Sequence, residues 1–249
     1  MLSDPELPVP EFPARECPAT MATLHHAPFC PNSRFVRLVL AEMGLEPQLA
    51  EERAWERRTE FLGLNPTGET PVLVEQGGLV VPGAGVIAEY LDEARGLGLA
   101  RRLMPERPAD RVEVRRLLHW FLVKLEAEAT GPLVTEKIFK RFMNAEAGGG
   151  PPDMNAIRAA RANLRYHVQY VGYLSARRNW LGGDEMSYAD LAAAAHLSCA
   201  DYLGDVPWGE DENARDWYAR LKSRPSFRAI LADRVPGMAP ADHYADLDF

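Results

Sequence analysis

Residues 65–91 read NPTGETPVLVEQGGLVVPGAGVIAEYL, and the order of signals within them decides the fold. Asn65-Pro66-Thr67-Gly68 is a turn cluster, and Val72–Glu75 reads as a short apolar strand. Gln76-Gly77-Gly78 supplies a Gly-Gly hairpin turn into a second strand, Leu79–Val81. The two strands lie too close for a crossover, so they must pair antiparallel. Ile87, Tyr90 and Leu91 then fall at i, i+3 and i+4, one face of an amphipathic helix. An N-cap there should be Ser, Thr, Asp or Asn. Pro82, Gly83, Ala84 and Gly85 stand there instead. A helix start is a natural anion-binding place, and this one has no side-chain hydrogen-bonding group.

Upstream, MATLHHA (Met21–Ala27) reads as a strand and RFVRLVLAEMG (Arg34–Gly44) as a helix. Phe35, Leu38, Val39 and Glu42 keep the helical period, with Gly44 at the C-cap. PQLAEER gives a second strand and WERRTEFLGL a short helix. The order is β-α-β-α-β-β-α around a mixed sheet. RGLGLARRLMPERPAD is a linker, after which strand signals stop. Val114, Leu118, Phe121 and Leu125 open a helical pattern, AEAGGGPPD interrupts it, and Ile157, Leu164, Val168 and Val171 resume it. Ser187-x-x-Asp190 is an acidic capping box opening a further helix, and two more helical segments follow. The fold class is an α/β domain followed by an all-α domain. The expected divisions are a Pro-rich leader at 1–20 read as disordered, the α/β domain at 21–100, the all-α domain at 101–235 and a C-terminal tail at 236–249.

Composition narrows the function classes. The formal net charge of −8 argues against nucleic-acid or anionic-membrane partners. No apolar run approaches the ~20 residues of a membrane span. Cys17, Cys30 and Cys199 make no disulfide framework, which points to a reducing cytoplasm. The leader lacks the basic start and apolar stretch of a signal peptide, and Met21 is a candidate start. The six histidines show no metal-ligand spacing with carboxylates, so no metal is expected.

Four motifs in order resemble the glutathione S-transferase superfamily over about Met21 to Val235. They are FCPNSRFVRLVLAEMGL, LNPTGETPVLVE, VIAEYL and SYADLAAAAHL. The resemblance implies a thioredoxin-like domain joined to a helical domain. It also implies a cis peptide at Pro71, with Thr70 pairing its backbone with glutathione. Cys30 falls where cysteine-type members carry the catalytic thiol. A helix start there favours a thiolate, although Ser33 replaces any resolving cysteine and leaves only monothiol chemistry. The alternative is a part-buried thiol with no task. In working members an acid and a Ser hold the γ-glutamyl end of glutathione, and these positions fall on Gly83 and Ala84. A charge-assisted hydrogen bond is worth roughly 1.5–3 kcal/mol, so losing two contacts costs roughly 2–5 kcal/mol. That lowers affinity by roughly 30- to several-thousand-fold. Whether the chain is an enzyme is left open by Cys30, but the lost clamp leans toward a binding protein. No cofactor is expected, and glutathione enters only if Cys30 works as a transferase or thioltransferase nucleophile.

The tail, PGMAPADHYADLDF, can either fold over the chain's own helices or present apolar anchors to a partner. With EERAWERR and the missing Ser, it resembles the FzlA type of transferase-like bacterial cell-division protein. That resemblance implies binding to the tubulin-like GTPase FtsZ, homodimer formation, and a cytoplasmic place at the division site. The implied partner-binding residues are Trp55, Tyr244, Asp246, Leu247 and Phe249. Trp55 can equally be an aromatic packed beside the stems of Arg53 and Arg57.

Overall fold

The computed structural model describes residues 22–99 and 102–247. The leader 1–20 with its Cys17, and Asp248 and Phe249 of the tail, lie outside the described residues. The α/β domain is built on a mixed sheet of order β2-β1-β3-β4. β1 (Thr23–His26) runs parallel to β2 (Gln48–Glu51) and antiparallel to β3 (Val72–Val74), which pairs antiparallel with β4 (Val80–Pro82). The parallel pair needs a crossover, which α1 (Pro31–Glu42) provides. Pro31 suits the first turn of α1, where its missing N–H costs nothing. Gly44, at φ 67, lets the chain leave the helix as the sequence suggests. α1 buries Phe35, Val36, Leu38 and Val39, and α3 (Ala84–Arg95) buries Ile87, Ala88 and Leu91 in the same core.

WERRTEFLGL forms two pieces where the sequence suggests one. A 3₁₀ turn at Ala54–Glu56 stops at Arg57, whose φ of 46 is left-handed, and α2 (Thr59–Leu62) starts afresh. The linker leads to α4 (Pro108–His119), which continues into a π-helical stretch, Trp120–Thr130, and then α5 (Gly131–Lys137). Pro132 has no N–H to give, so the α register cannot run through it unbroken. The apolar period alone did not show this shift.

α6 (Met154–Ser175) is capped by Asp153, whose carboxylate accepts the N–H groups of Asn155 and Ala156. α7 (Tyr188–Tyr202) is buried along its whole length, as its Ala-rich and nearly charge-free sequence requires. α8 (Glu212–Lys222) and the short α9 (Arg228–Leu231) complete the domain. α1 of the sheet domain lies against α7, so one hydrophobic core crosses the domain boundary.

The Ser187–Asp190 capping box is present, and Asp190 does more than cap. Its carboxylate accepts from Leu181 N (2.8 Å), Ser187 N (3.0 Å), Ser187 Oγ (3.1 Å) and Trp217 Nε1 (3.0 Å). The box therefore ties α7 to α8 and to the loop before it. Asp190→Ala leaves buried donors unpaired and should lower stability by about 3 kcal/mol. A urea midpoint that stays at the wild-type value would contradict this role.

Candidate functional site

The residues matched to the glutathione site come together. Cys30 is the N-cap of α1, half-buried, and its Sγ lies 3.7 Å from the Thr70 carbonyl oxygen. The Thr70–Pro71 peptide is cis. The Pro71 carbonyl accepts from Gly83 N at 3.0 Å, which sets the start of α3 beside this turn. Gly83 is the N-cap of α3 at φ 88, ψ 137, and no side chain caps the helix. A Cβ on Gly83 would meet nothing within 4 Å, but the left-handed backbone disfavours any side chain. Ala84 follows as the first helical residue and is buried.

The expectation of a thiolate at Cys30 is corrected. Burial pushes the thiol up, and the Glu126 carboxyl adds to that; hydrogen bonds from Ser33 and Thr70 only partly offset them. The helix start is outweighed by desolvation. Ser33 is occupied structurally, its Oγ accepting from Ala27 N at 3.3 Å.

Glu126 was not singled out by the sequence. It lies in the π-helical stretch, next to the buried Leu125. Its carboxyl lies 3.3 Å from Thr130 Oγ1 and 3.3 Å from His196 Nδ1. Thr130 Oγ1 and His196 Nδ1 are 2.9 Å apart, and His196 Nε2 reaches Asn32 Oδ1 at 3.2 Å. Burial lowers His196 to about 3, so it is neutral. With Nε2–H donating to Asn32, Nδ1 can only accept. The Thr130 hydroxyl, the nearest group at 2.9 Å, can supply that proton. Burial is also what raises the Glu126 carboxyl, to about 7, with Glu69 contributing. The thiol thus stands near the Glu126 carboxyl, which together with burial disfavours a thiolate.

A second feature is a cleft of about 260 Å³ between the domains. Phe29, Trp55, Ile138, Phe139, Phe142 and Val235 form its apolar wall, with Arg53 and Arg234 also lining it. Trp55 is half-buried and packs on Phe139 of the helical domain, with ring centroids 5.1 Å apart at 42°. Its aromatic partner is in the other domain, which neighbouring sequence could not reveal.

The tail folds over its own helices. Tyr244, expected to contact a partner, is corrected to a core residue with 0% exposure. Its hydroxyl donates to the Ile230 carbonyl at 3.0 Å and lies 3.2 Å from Arg34 Nη1. His243 Nε2 is 2.8 Å from Asp201 Oδ1, and Lys222 Nζ donates to the His243 carbonyl at 2.8 Å. Asp201 also accepts from Trp208 Nε1 (2.7 Å) and Tyr218 Oη (3.3 Å). Asp246 is exposed just past this anchor, and Leu247 is 42% exposed. Phe249 lies outside the described residues.

Comparison with known proteins places this architecture. The family model for the glutathione S-transferase N-terminal domain matches residues 29–94, and that for the C-terminal domain matches residues 132–225. The crystal structure of a glutathione S-transferase from Sinorhizobium meliloti 1021 superposes with a TM-score of 0.90 at 52% identity, covering 92% of this chain and all (100%) of that one. The chain belongs to the glutathione S-transferase superfamily. Within it, FtsZ-localized protein A of Caulobacter vibrioides is 49% identical over 230 residues, 91% of this chain and 98% of that protein. The structure of FzlA from C. crescentus matches with a TM-score of 0.85 at 48% identity, over 92% of this chain and 100% of that one. The family of FtsZ-localized protein A is the one to which this chain belongs.

Two outcomes follow from the site. Glu126→Gln removes the carboxyl that disfavours a charged thiolate and should shift the pH profile of Cys30 alkylation to lower pH. An unchanged profile would show that Glu126 does not act on the thiol. His243 is raised, chiefly by its bond to Asp201, with Asp242 helping and Lys222 opposing. The folded chain therefore holds that proton more tightly than the unfolded one. Its stabilisation is complete below the ordinary value of 6.5 and fades as pH rises through the raised one. The melting-temperature gap between wild type and His243→Gln should narrow as pH rises above about 6.5; a widening gap would contradict the clamp.

Proposed function

We propose that this chain is a non-catalytic, transferase-like protein that associates with FtsZ and regulates bacterial cell division. The observation that carries the reading is 49% identity across 98% of a protein named for its localisation with FtsZ. The site supports it in physical terms. The α3 start has no side chain to hold a γ-glutamyl carboxylate, and the Cys30 thiol is pushed up. No cofactor is required by this reading. The partner surface is the Trp55 cleft together with the exposed end of the tail, Asp246 and Leu247, and Phe249 beyond them.

The chain acts as a homodimer in this reading. Among the described residues no helix is long and apolar enough to cross a membrane. A cytoplasmic place at the division site, without nucleic-acid contact or membrane insertion, accords with that and with the net charge of −8.

The second reading is a cysteine-type glutathione transferase or thioltransferase. Cys30 favours it by standing at the α1 start beside the cis-proline. It requires saturable glutathione binding and disulfide reduction lost in Cys30→Ala.

Co-sedimentation with GTP-assembled FtsZ tests the first reading. Wild type should pellet with filaments and show negligible retention on immobilised glutathione. Trp55→Ala and Asp246→Lys should each weaken pelleting by about tenfold or more, a loss of ~1.4 kcal/mol or more. Removal of residues 247–249 is the suitable truncation, because a longer one would take Tyr244 out of the core. Wild type that stays in the supernatant while binding glutathione would favour the enzyme.

A further inference from the structure

We infer that Tyr244 is a positioning residue for the interdomain cleft, coupling the C-terminal tail to the wall on which Trp55 packs. The partner-surface part of this inference rests on the FtsZ-binding reading. Phe29, Ile138 and Val235 line the cleft and also pack in one buried cluster with Tyr244, Tyr202, Val134 and Cys199. The same three side chains therefore have one face toward the cleft and another toward the tail's anchor.

The rings form a ladder behind the cleft wall. Phe29 meets Tyr202 edge-on with centroids 4.6 Å apart at 66°, and Tyr202 meets Tyr244 at 5.0 Å and 80°. Such edge-to-face pairs hold ring orientation as well as burying area. The Tyr202 hydroxyl accepts from Val235 N at 3.0 Å and donates to the Met238 carbonyl at 2.7 Å. It thereby fixes the segment that carries Val235 and Pro236 into the cleft. Tyr244 closes the ladder from the tail side, at 0% exposure. Removing its ring opens space behind Tyr202, the ring that backs Phe29 and bonds Val235. Packed interiors answer such a loss by partial collapse, which here draws the wall away from Trp55 and Phe139.

The hydroxyl has a different task. Its bonds go to Arg34 and to the Ile230 carbonyl, so it reaches the cleft wall only through Arg34, which is held independently by Ser198, Asp233 and the Pro28 carbonyl. The ring, not the hydroxyl, is therefore the element that shapes the cleft. Tyr244→Phe should preserve the cleft, and Tyr244→Ala should deform it.

The test has two readouts. The first needs no partner: hydrogen–deuterium exchange of the free full-length protein. In Tyr244→Ala, exchange should rise in segments 27–30, 138–142 and 234–236 and stay at the wild-type level at 83–87. Tyr244→Phe should match wild type in all four. A uniform rise including 83–87, or no change at the cleft, would overturn the positioning role. Should Tyr244→Ala not fold, Tyr244→Leu, which leaves a smaller void and no ring edge for Tyr202, takes its place, with a smaller rise expected in the same three segments and none at 83–87.

The second readout is FtsZ pelleting. Tyr244→Ala should weaken it by about tenfold, Tyr244→Phe by about threefold or less, and Tyr244→Ala should add little to Trp55→Ala because both act through one wall. Fully additive losses would overturn the coupling. Failure of wild type to bind FtsZ would remove the functional reading while the exchange result still decides whether Tyr244 shapes the cleft.

Discussion

Arg34 is the interaction on which the arrangement of the two domains depends. Its guanidinium is fully buried yet reaches five groups on different elements. Nε donates to the Pro28 carbonyl (2.8 Å), Nη1 to Ser198 Oγ (2.9 Å) and toward Tyr244 Oη (3.2 Å), and Nη2 to Asp233 (3.4 Å). The cation also sits 4.3 Å from the centroid of the Phe29 ring. Asp233 is held in turn by Arg37, through contacts of 2.7 and 3.1 Å. A buried cation is tolerable only when it is paired and hydrogen-bonded on every side, and breaking such an arrangement costs about 3–5 kcal/mol. So α1, the Phe29 loop, α7, the end of α9 and the tail cannot shift independently. The residues matched to the glutathione site and the interdomain cleft are both built on that fixed frame.

The frame shows how a transferase fold can be kept for structural reasons, whatever its chemistry. Cys30, the Thr70–Pro71 turn and the α3 start serve the fold as well as any ligand, since Pro71 supports the Gly83 backbone and α3 fills the core. What catalysis needs beyond that is a poised thiolate and a clamp for glutathione. Neither is favoured here. The thiol is half-buried and faces Glu126, and the clamp positions hold Gly83 and Ala84. Gly83 lies outside the core and Ala84 packs within it as a small apolar residue, so the fold has no need of a Ser or an acid at either position.

The fold was legible because its signals are local. A Gly-Gly turn between two strands, Pro31 and Gly44 at the ends of α1, and Ser187 three residues before Asp190 each act within one element. The glutathione positions were legible for the same reason: they sit in short motifs at helix starts and turns. Three features were not. Glu126 finds Thr130 and His196 as partners, and His196 lies on α7, far away in sequence. Trp55 finds its ring partner, Phe139, in the other domain. Tyr244 looked like an exposed anchor in a Pro-rich tail, but its neighbours are Tyr202, Val235 and Phe29, distant in sequence and joined only by packing.

The central claim is that the partner-facing surface of this chain is the interdomain cleft with the end of the tail, and that the former glutathione site is not used for that purpose. Hydroxyl-radical footprinting of the full-length protein, free and bound to GTP-assembled FtsZ, tests it most directly. The account predicts protection of Trp55, Phe139, Phe142 and Leu247, with Val86 at the α3 start and Cys30 unchanged relative to their free-state reactivity. Protection centred on Cys30 and Val86, with Trp55 and Phe142 as reactive as in the free protein, would contradict it.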